Sequence, residues 1–259
     1  MPFNKSINGL KNEYEFIKEL NKKKVKQLNP LFQDFIFDIF KNVDYKDIIY
    51  CKKNLSPDKT DIFITINNIT KNISIKKGVK NSVHVERITD FIHFLIENNI
   101  SRESVIEYLK YHYADGTTNG KGINRLSAEE YKKENQNKID ELNKELNNKE
   151  IIIKSINRFI LSGRENKDNI DAIIYGVTND FIWIKKEEII NIILSKKDNY
   201  SSAVHISSLT CQPLNRCINK NPTYENKRYC VQIKWYNISD DIKETMNQRV
   251  VNGRTKRSR

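Results

Sequence analysis

The stretch from Asp61 to Lys77, DIFITINNITKNISIKK, constrains this chain more than any other. Ile62, Ile64 and Ile66 alternate with Asp61, Phe63 and Thr65, the period-two pattern of a strand with one buried face. A second run, Ile69 to Lys76, sets Ile73 and Ile75 opposite Ser74 and Lys76. Asn67 and Asn68 between the runs are turn formers, so the spacing predicts a β-hairpin. Pairing about that turn brings Asp61 and the Ser74-x-Lys76 segment to one end of one sheet. Whether Asp61 shares their face depends on the register, which the sequence leaves open. A carboxylate that can hold a divalent cation, beside an ammonium that can neutralise charge, is the pair that phosphodiester cleavage requires.

Periodicity organises the rest. Helices are expected over 10–28 and 30–41, the second opening with Pro30, and a further β-like run over 47–51. After Gly78, SVHVERITDFIHFLIENN returns to helical spacing, with Ile88, Phe91, Ile92, Leu95 and Ile96 inward, and another helix is expected over 102–113. This order is α/β with a small central sheet flanked by helices. ADGTTNGKG, residues 114–122, is the clearest breaker and marks an expected domain boundary. Residues 1–122 would then be the core carrying the hairpin, 123–248 a second α/β or α+β region, and 249–259 a basic disordered tail. Within the second region, 127–149 reads as one charged helix with a capping box from Ser127 to Glu130. Strands are expected over 170–175, 181–184, 203–209 and 229–236, and a helix over 187–194. DAIIYGVTNDFIWIKK imitates the first hairpin with Asp171 and Lys185, but Trp183 stands in place of the acid, so it reads as structural.

A net charge of +12 over 259 residues points to a polyanionic partner, although a solvated lysine surface would give the same number. No apolar run reaches the length of a membrane span, and the N-terminus lacks the apolar core of a signal peptide. Cys51, Cys211, Cys217 and Cys230 form no C-x-x-C pair, and the four histidines are scattered. Neither a zinc site nor a disulfide framework is indicated, and a cytoplasmic, reduced protein is expected.

Several side chains invite a functional reading. Glu13 shares a helical face with Leu10, Ile17 and Leu20. An acid there needs a metal or a basic partner, unless the helix dipole alone favours it in the first turn. Asp58, after Pro57, rivals Asp61, but it lies in the turn before the strand. His84 falls on the apolar side of its expected helix and reads as a core histidine. The loop over 212–228 carries Arg216, Lys220, Lys227 and Arg228 among asparagines, and Lys234 follows on a strand. Such residues contact phosphates and base edges in DNA, or simply line a polar loop.

Hairpin, glycine and amphipathic helix together resemble the PD-(D/E)XK nuclease superfamily. The resemblance implies helices packed on a small mixed sheet, a restriction-endonuclease-like core, with Mg²⁺ as cofactor. Asp61 would be a metal ligand and Lys76 the catalytic lysine, and Ser74 would occupy the usual acidic position. A neutral hydroxyl is a poor Mg²⁺ ligand beside a carboxylate, so another acid must supply charge. Glu86, ten residues after Lys76, resembles the relocated glutamate of restriction enzymes that carry Ser-x-Lys. Glu13 resembles the first-helix glutamate of many members. NEYEF, KTDIFI with ISIKKG and NSVHVE, YHYADGTTNG, QPLNR and NPTYENKRYCVQIKW are similar to stretches of type II restriction endonucleases. This implies a Mg²⁺-dependent endonuclease on double-stranded DNA, a homodimer where both strands of a palindrome are cut, and a cognate methyltransferase encoded nearby. A DNA-binding protein with a decayed metal site is the alternative, and a protein-interaction domain is a third reading.

Overall fold

The computed structural model describes residues 4–78, 81–163, 169–196 and 203–257. The elements in its first half are helices α1 (Asn4–Leu20) and α2 (Pro30–Ile39), strands β1 (Tyr50–Lys53), β2 (Ile62–Ile66), β3 (Ile69–Lys76) and β4 (Ser82–Arg87), and helices α3 (Ile88–Glu97) and α4 (Arg102–Tyr113). Helices α5 (Ala128–Glu134), α6 (Gln136–Leu146) and α7 (Lys149–Ile156) follow, then strands β5 (Ala172–Val177) and β6 (Asp180–Lys185) and helix α8 (Lys186–Ser195). Strands β7 (His205–Ile206), β8 (Leu209–Pro213) and β9 (Cys230–Trp235) lead to helix α9 (Ile238–Arg257). Among the described residues no helix is long and apolar enough to cross a membrane.

The chain divides into two compact units that interleave in sequence. One comprises Met1–Asn81, Ile160–Ile192 and Asn237–Arg259; the other comprises Ser82–Phe159 and Ile193–Tyr236. The expected boundary at 122 therefore falls inside the second unit. The breaker folds around its own acid, which a distant arginine also holds. Asp115 accepts from Thr117 N (3.0 Å) and Gly122 N (3.0 Å), and the buried Arg228 guanidinium donates to it as well (2.9 Å). Gly122 is obligatory there, because a Cβ would sit 1.9 Å from the Asp115 carbonyl oxygen.

In the first unit the hairpin forms as its pattern predicts. Asn67 and Asn68 have φ of +48° and +64°, the left-handed pair of a type I′ turn, which asparagine tolerates well. That turn sets Ile62 opposite Ile73 and Ile66 opposite Ile69. The five-stranded sheet runs β1-β2-β3-β5-β6. Only β3 with β5 is a parallel pair among these neighbours, so the sheet is mixed, and helices cover it. A parallel neighbour must be reached by a long crossover, and here the crossover carries much of the second unit. The isoleucine face packs on Phe16 and Leu20 of α1 and on Phe32, Phe35 and Ile36 of α2, all fully or almost fully buried. Phe181 of β6 meets Phe16, Phe32 and Phe35 at ring separations of 4.9 to 5.9 Å, tilted and edge-on contacts that add to simple burial.

The expected disordered tail begins instead with an anchored residue. Arg249 donates to Asp38 (2.9 Å) and to Glu188 (2.7 Å), and Asp38 also accepts from Trp183 and Lys185. Burial works against the Asp38 charge, but these donors outweigh it and hold the carboxyl below its ordinary range. Helix α9 runs on to Arg257; residues 258–259 lie outside the described part.

The second unit holds an antiparallel sheet in the order β4-β9-β8-β7. Its first strand occupies the start of the segment that helical spacing assigned to a helix. A register shift between Ser82 and His84 moves burial from one side of the strand to the other, so Val83 and Glu86 are both buried. In the sequence Val83 and Val85 alternate as strand residues do, and the helical spacing begins only at Ile88, where α3 starts. The single charged helix expected over 127–149 is broken at Asn135 and again at Asn147 and Asn148, where the Asn148 side chain caps α7 by accepting from Glu150 N. The Ser127 to Glu130 capping box is present.

Candidate catalytic site on the hairpin

Strand β2 starts at Ile62. One residue earlier, Asp61 N still reaches the Ile73 carbonyl at 2.9 Å, and there the ladder with β3 stops. The next β3 amide on that side, Ile75 N–H, has no strand partner and donates to Asp61 Oδ2 at 2.6 Å. Ser74 Oγ donates to the same oxygen at 3.0 Å, and Lys76 Nζ lies 3.8 Å from it. The register that pairs Ile62 with Ile73 sets Asp61 across from Ser74, so acid, hydroxyl and ammonium share one face. Ser74 is 2% exposed, whereas the side chains of Asp61 and Lys76 remain 21% and 28% open to solvent. The buried hydroxyl is thus a fixed donor, and the acid and the lysine are the groups a substrate can reach.

Glu13 lies on the same unit. The buried ridge of α1 is Asn12, Phe16 and Leu20, with Leu10 47% exposed, so the apolar face is turned from the one expected, and Glu13 flanks it. Its carboxylate forms a close ion pair with Lys53 of β1. The Lys53 ammonium also donates to the Asp61 backbone carbonyl at 3.2 Å, so one cation touches both the helix acid and the hairpin acid's own residue. Sequence reasoning missed Lys53. Alternation about the buried Cys51 contained the signal, since it puts Lys53, unlike Lys52, on the core side of β1.

The remaining acids have other engagements. Asp58 accepts from Asn54 Nδ2 (2.6 Å) and Thr60 N (2.8 Å), an Asx turn that shapes the approach to β2. Glu86 stands on strand β4, not on a helix, and is held within its own unit. Arg158 Nη2 donates to its Oε2 at 2.7 Å, and His84 Nε2 lies 3.2 Å from that oxygen. Burial opposes the Glu86 charge, yet His84 and Arg158 prevail and keep its carboxyl below the usual range. His84, on the strand beside it, lies tilted against the Phe159 ring at 5.4 Å.

The basic residues of the second unit sort by exposure. Arg228 is 2% exposed and bonded to Asp115, Glu225 and the Gly120 carbonyl, so it is a buried structural cation and not the surface DNA contact expected of it. Arg216 is half-buried, donates to the Tyr111 carbonyl at 2.6 Å and lies over the Tyr111 ring. Lys220 is exposed; Lys227 sits over the Tyr224 ring; Lys234 projects half-buried from β9.

Among the described residues, no group of three His, Cys, Asp or Glu side chains is placed to hold a metal ion. Mg²⁺ is commonly bound by one or two carboxylates and completed by water and phosphate oxygens. Partly open Asp61 offers one carboxylate to such a set, and Glu13 is linked to it only through the shared Lys53 ammonium, so no cage of three protein acids is formed. No protein-family model and no curated protein matches the sequence. A search of solved structures returns the crystal structure of restriction endonuclease MspI in complex with its cognate DNA. It is 14% identical over 89% of this chain and 99% of that one, with a TM-score of 0.46.

Proposed function

We propose that this chain is a Mg²⁺-dependent DNA endonuclease of restriction type, hydrolysing phosphodiester bonds in double-stranded DNA. The observation that carries the reading is the convergence of Ser74 Oγ and Lys76 Nζ on Asp61 Oδ2, at 3.0 and 3.8 Å. In this reading the Asp61 carboxylate, with Glu13 as the second acid once Lys53 is displaced, would hold the divalent cation, which would supply charge neutralisation at the phosphate and a more acidic water. Ser74 and Ile75 N–H orient Asp61. Lys76 positions the attacking water and offsets the negative charge that grows on the phosphate oxygens. Water adds to phosphorus, the P–O bond to one sugar breaks, and the departing oxygen takes a proton. Arg216, Lys220, Lys227 and Lys234 are the positive groups proposed to contact the nucleic acid.

Purified protein with Mg²⁺ and unmodified plasmid should produce cuts. Lys76→Ala and Asp61→Asn should each reduce the rate by on the order of 10²-fold or more while circular dichroism stays unchanged. Wild-type cutting by Lys76→Ala would overturn the assignment.

The neutral Ser74 and the Glu13 carboxylate occupied by Lys53 favour a second reading, a DNA-binding protein whose metal site has decayed. It predicts salt-sensitive DNA binding that Asp61→Asn leaves unchanged, and no cleavage with Mg²⁺ or Mn²⁺.

A further inference from the structure

We infer that Lys53 competes with a divalent cation for the Glu13 carboxylate and thereby sets the metal affinity of the hairpin site. The inference rests on the reading of Asp61 as a metal-binding acid and assigns a role to a residue outside that reading. Lys53 and Glu13 are both largely buried, with side-chain exposures of 17% and 12%, so their attraction is screened less than that of a surface pair. The ammonium is also held at the Asp61 carbonyl, 3.2 Å away, which keeps it beside the acid that a metal would use. A cation approaching Asp61 meets one carboxylate that is open and a second already neutralised. Recruiting Glu13 requires the ammonium to leave it, because two positive charges on one carboxylate in a partly dry site repel each other.

Lys53 is therefore a positioning residue, and its effect appears in binding whether or not DNA is cut. Mn²⁺ binding to the full chain, measured by calorimetry without DNA, is the test. Lys53→Met should tighten Mn²⁺ binding about tenfold. Glu13→Gln alone should weaken Mn²⁺ binding, and adding it to Lys53→Met should cancel that variant's gain. Lys53→Gln, which keeps a donor for Glu13 and for the Asp61 carbonyl but no charge, should show an intermediate gain and guards against misfolding of the methionine variant. In the wild type, Mg²⁺ should raise the rate at which Lys53 is acylated, read by mass spectrometry. Binding that Asp61→Asn abolishes but that both Lys53 variants leave unchanged would overturn this inference and spare the metal-site reading. An absence of Asp61-dependent binding in every variant would overturn both.

Discussion

Ser74 Oγ donates to Asp61 Oδ2 at 3.0 Å across the mouth of the hairpin. The residue that stands where the resemblance expects an acid thus serves the neighbouring acid, and it does so from a buried position. Asp61 in turn closes the β2–β3 ladder through Ile75 N–H. The same carboxylate has a structural duty and a proposed chemical one, and substitutions there must separate the two.

Asp61→Ala should destabilise the fold by about 1–3 kcal/mol, because it leaves the Ile75 amide and the Ser74 hydroxyl without their acceptor. Asp61→Asn, which keeps an oxygen at that position, should lose less than half as much. Urea denaturation midpoints of the three proteins check the order.

Ser74→Asp would put a second carboxylate against Asp61 in a site where the present hydroxyl is 2% exposed. Two acids there disfavour each other's charge, so stability at pH 7 in chelator should fall by about 1–3 kcal/mol. Millimolar Mg²⁺ should restore part of it, since a ligand bound only by the folded state stabilises that state. Equal melting curves with and without Mg²⁺ would contradict this.

Arg228 and Lys220 should respond in opposite ways. Arg228→Ala leaves Asp115 buried and unpaired and should cost about 3–5 kcal/mol in unfolding free energy. Lys220→Ala should leave stability unchanged and, where Lys220 meets a phosphate, lower the slope of log affinity against log salt by about 0.9. Thermal melts and salt titrations of DNA binding distinguish the two.

His112 makes the second unit acid-sensitive. Burial, joined by the nearby Arg216 and Arg228 charges, pulls its imidazole down to about 4 from an ordinary 6.5, against the opposing hydrogen bond to the Arg228 carbonyl. The folded value is depressed, so the unfolded chain takes up the proton first. The stability contribution is complete above pH 6.5 and is lost as pH falls towards 4, a loss of roughly 3 kcal/mol at full extent. His112→Gln, which can still donate to that carbonyl, should flatten the decline between pH 6.5 and 4.5. An unaltered pH profile in that variant would refute the assignment.

The hairpin could be read from residues alone because its information is local. Alternating isoleucines define the buried face and Asn67-Asn68 mark the turn, while the register that sets Ile62 opposite Ile73 is seen only in the fold. The Ser127 capping box and the helix over 102–113 are local in the same sense. The readings that failed depended on distant partners. SVHVER reads as part of the helical spacing that begins at Ile88, because the strand it forms is made by pairing with β9, far along the chain. ADGTTNGKG reads as a domain boundary because its satisfying cation, Arg228, is more than a hundred residues away.

For the candidate site, the sequence by itself determined which strand end carries Asp61, Ser74 and Lys76. Only the tertiary structure decided who accompanies them. It set Glu13 against Lys53, held Glu86 between Arg158 and His84, and buried Arg228. The reason is physical. Strand alternation and turn conformation are short-range sterics, encoded within a few residues. The partner of a buried charge is chosen by desolvation, which only the packed fold imposes.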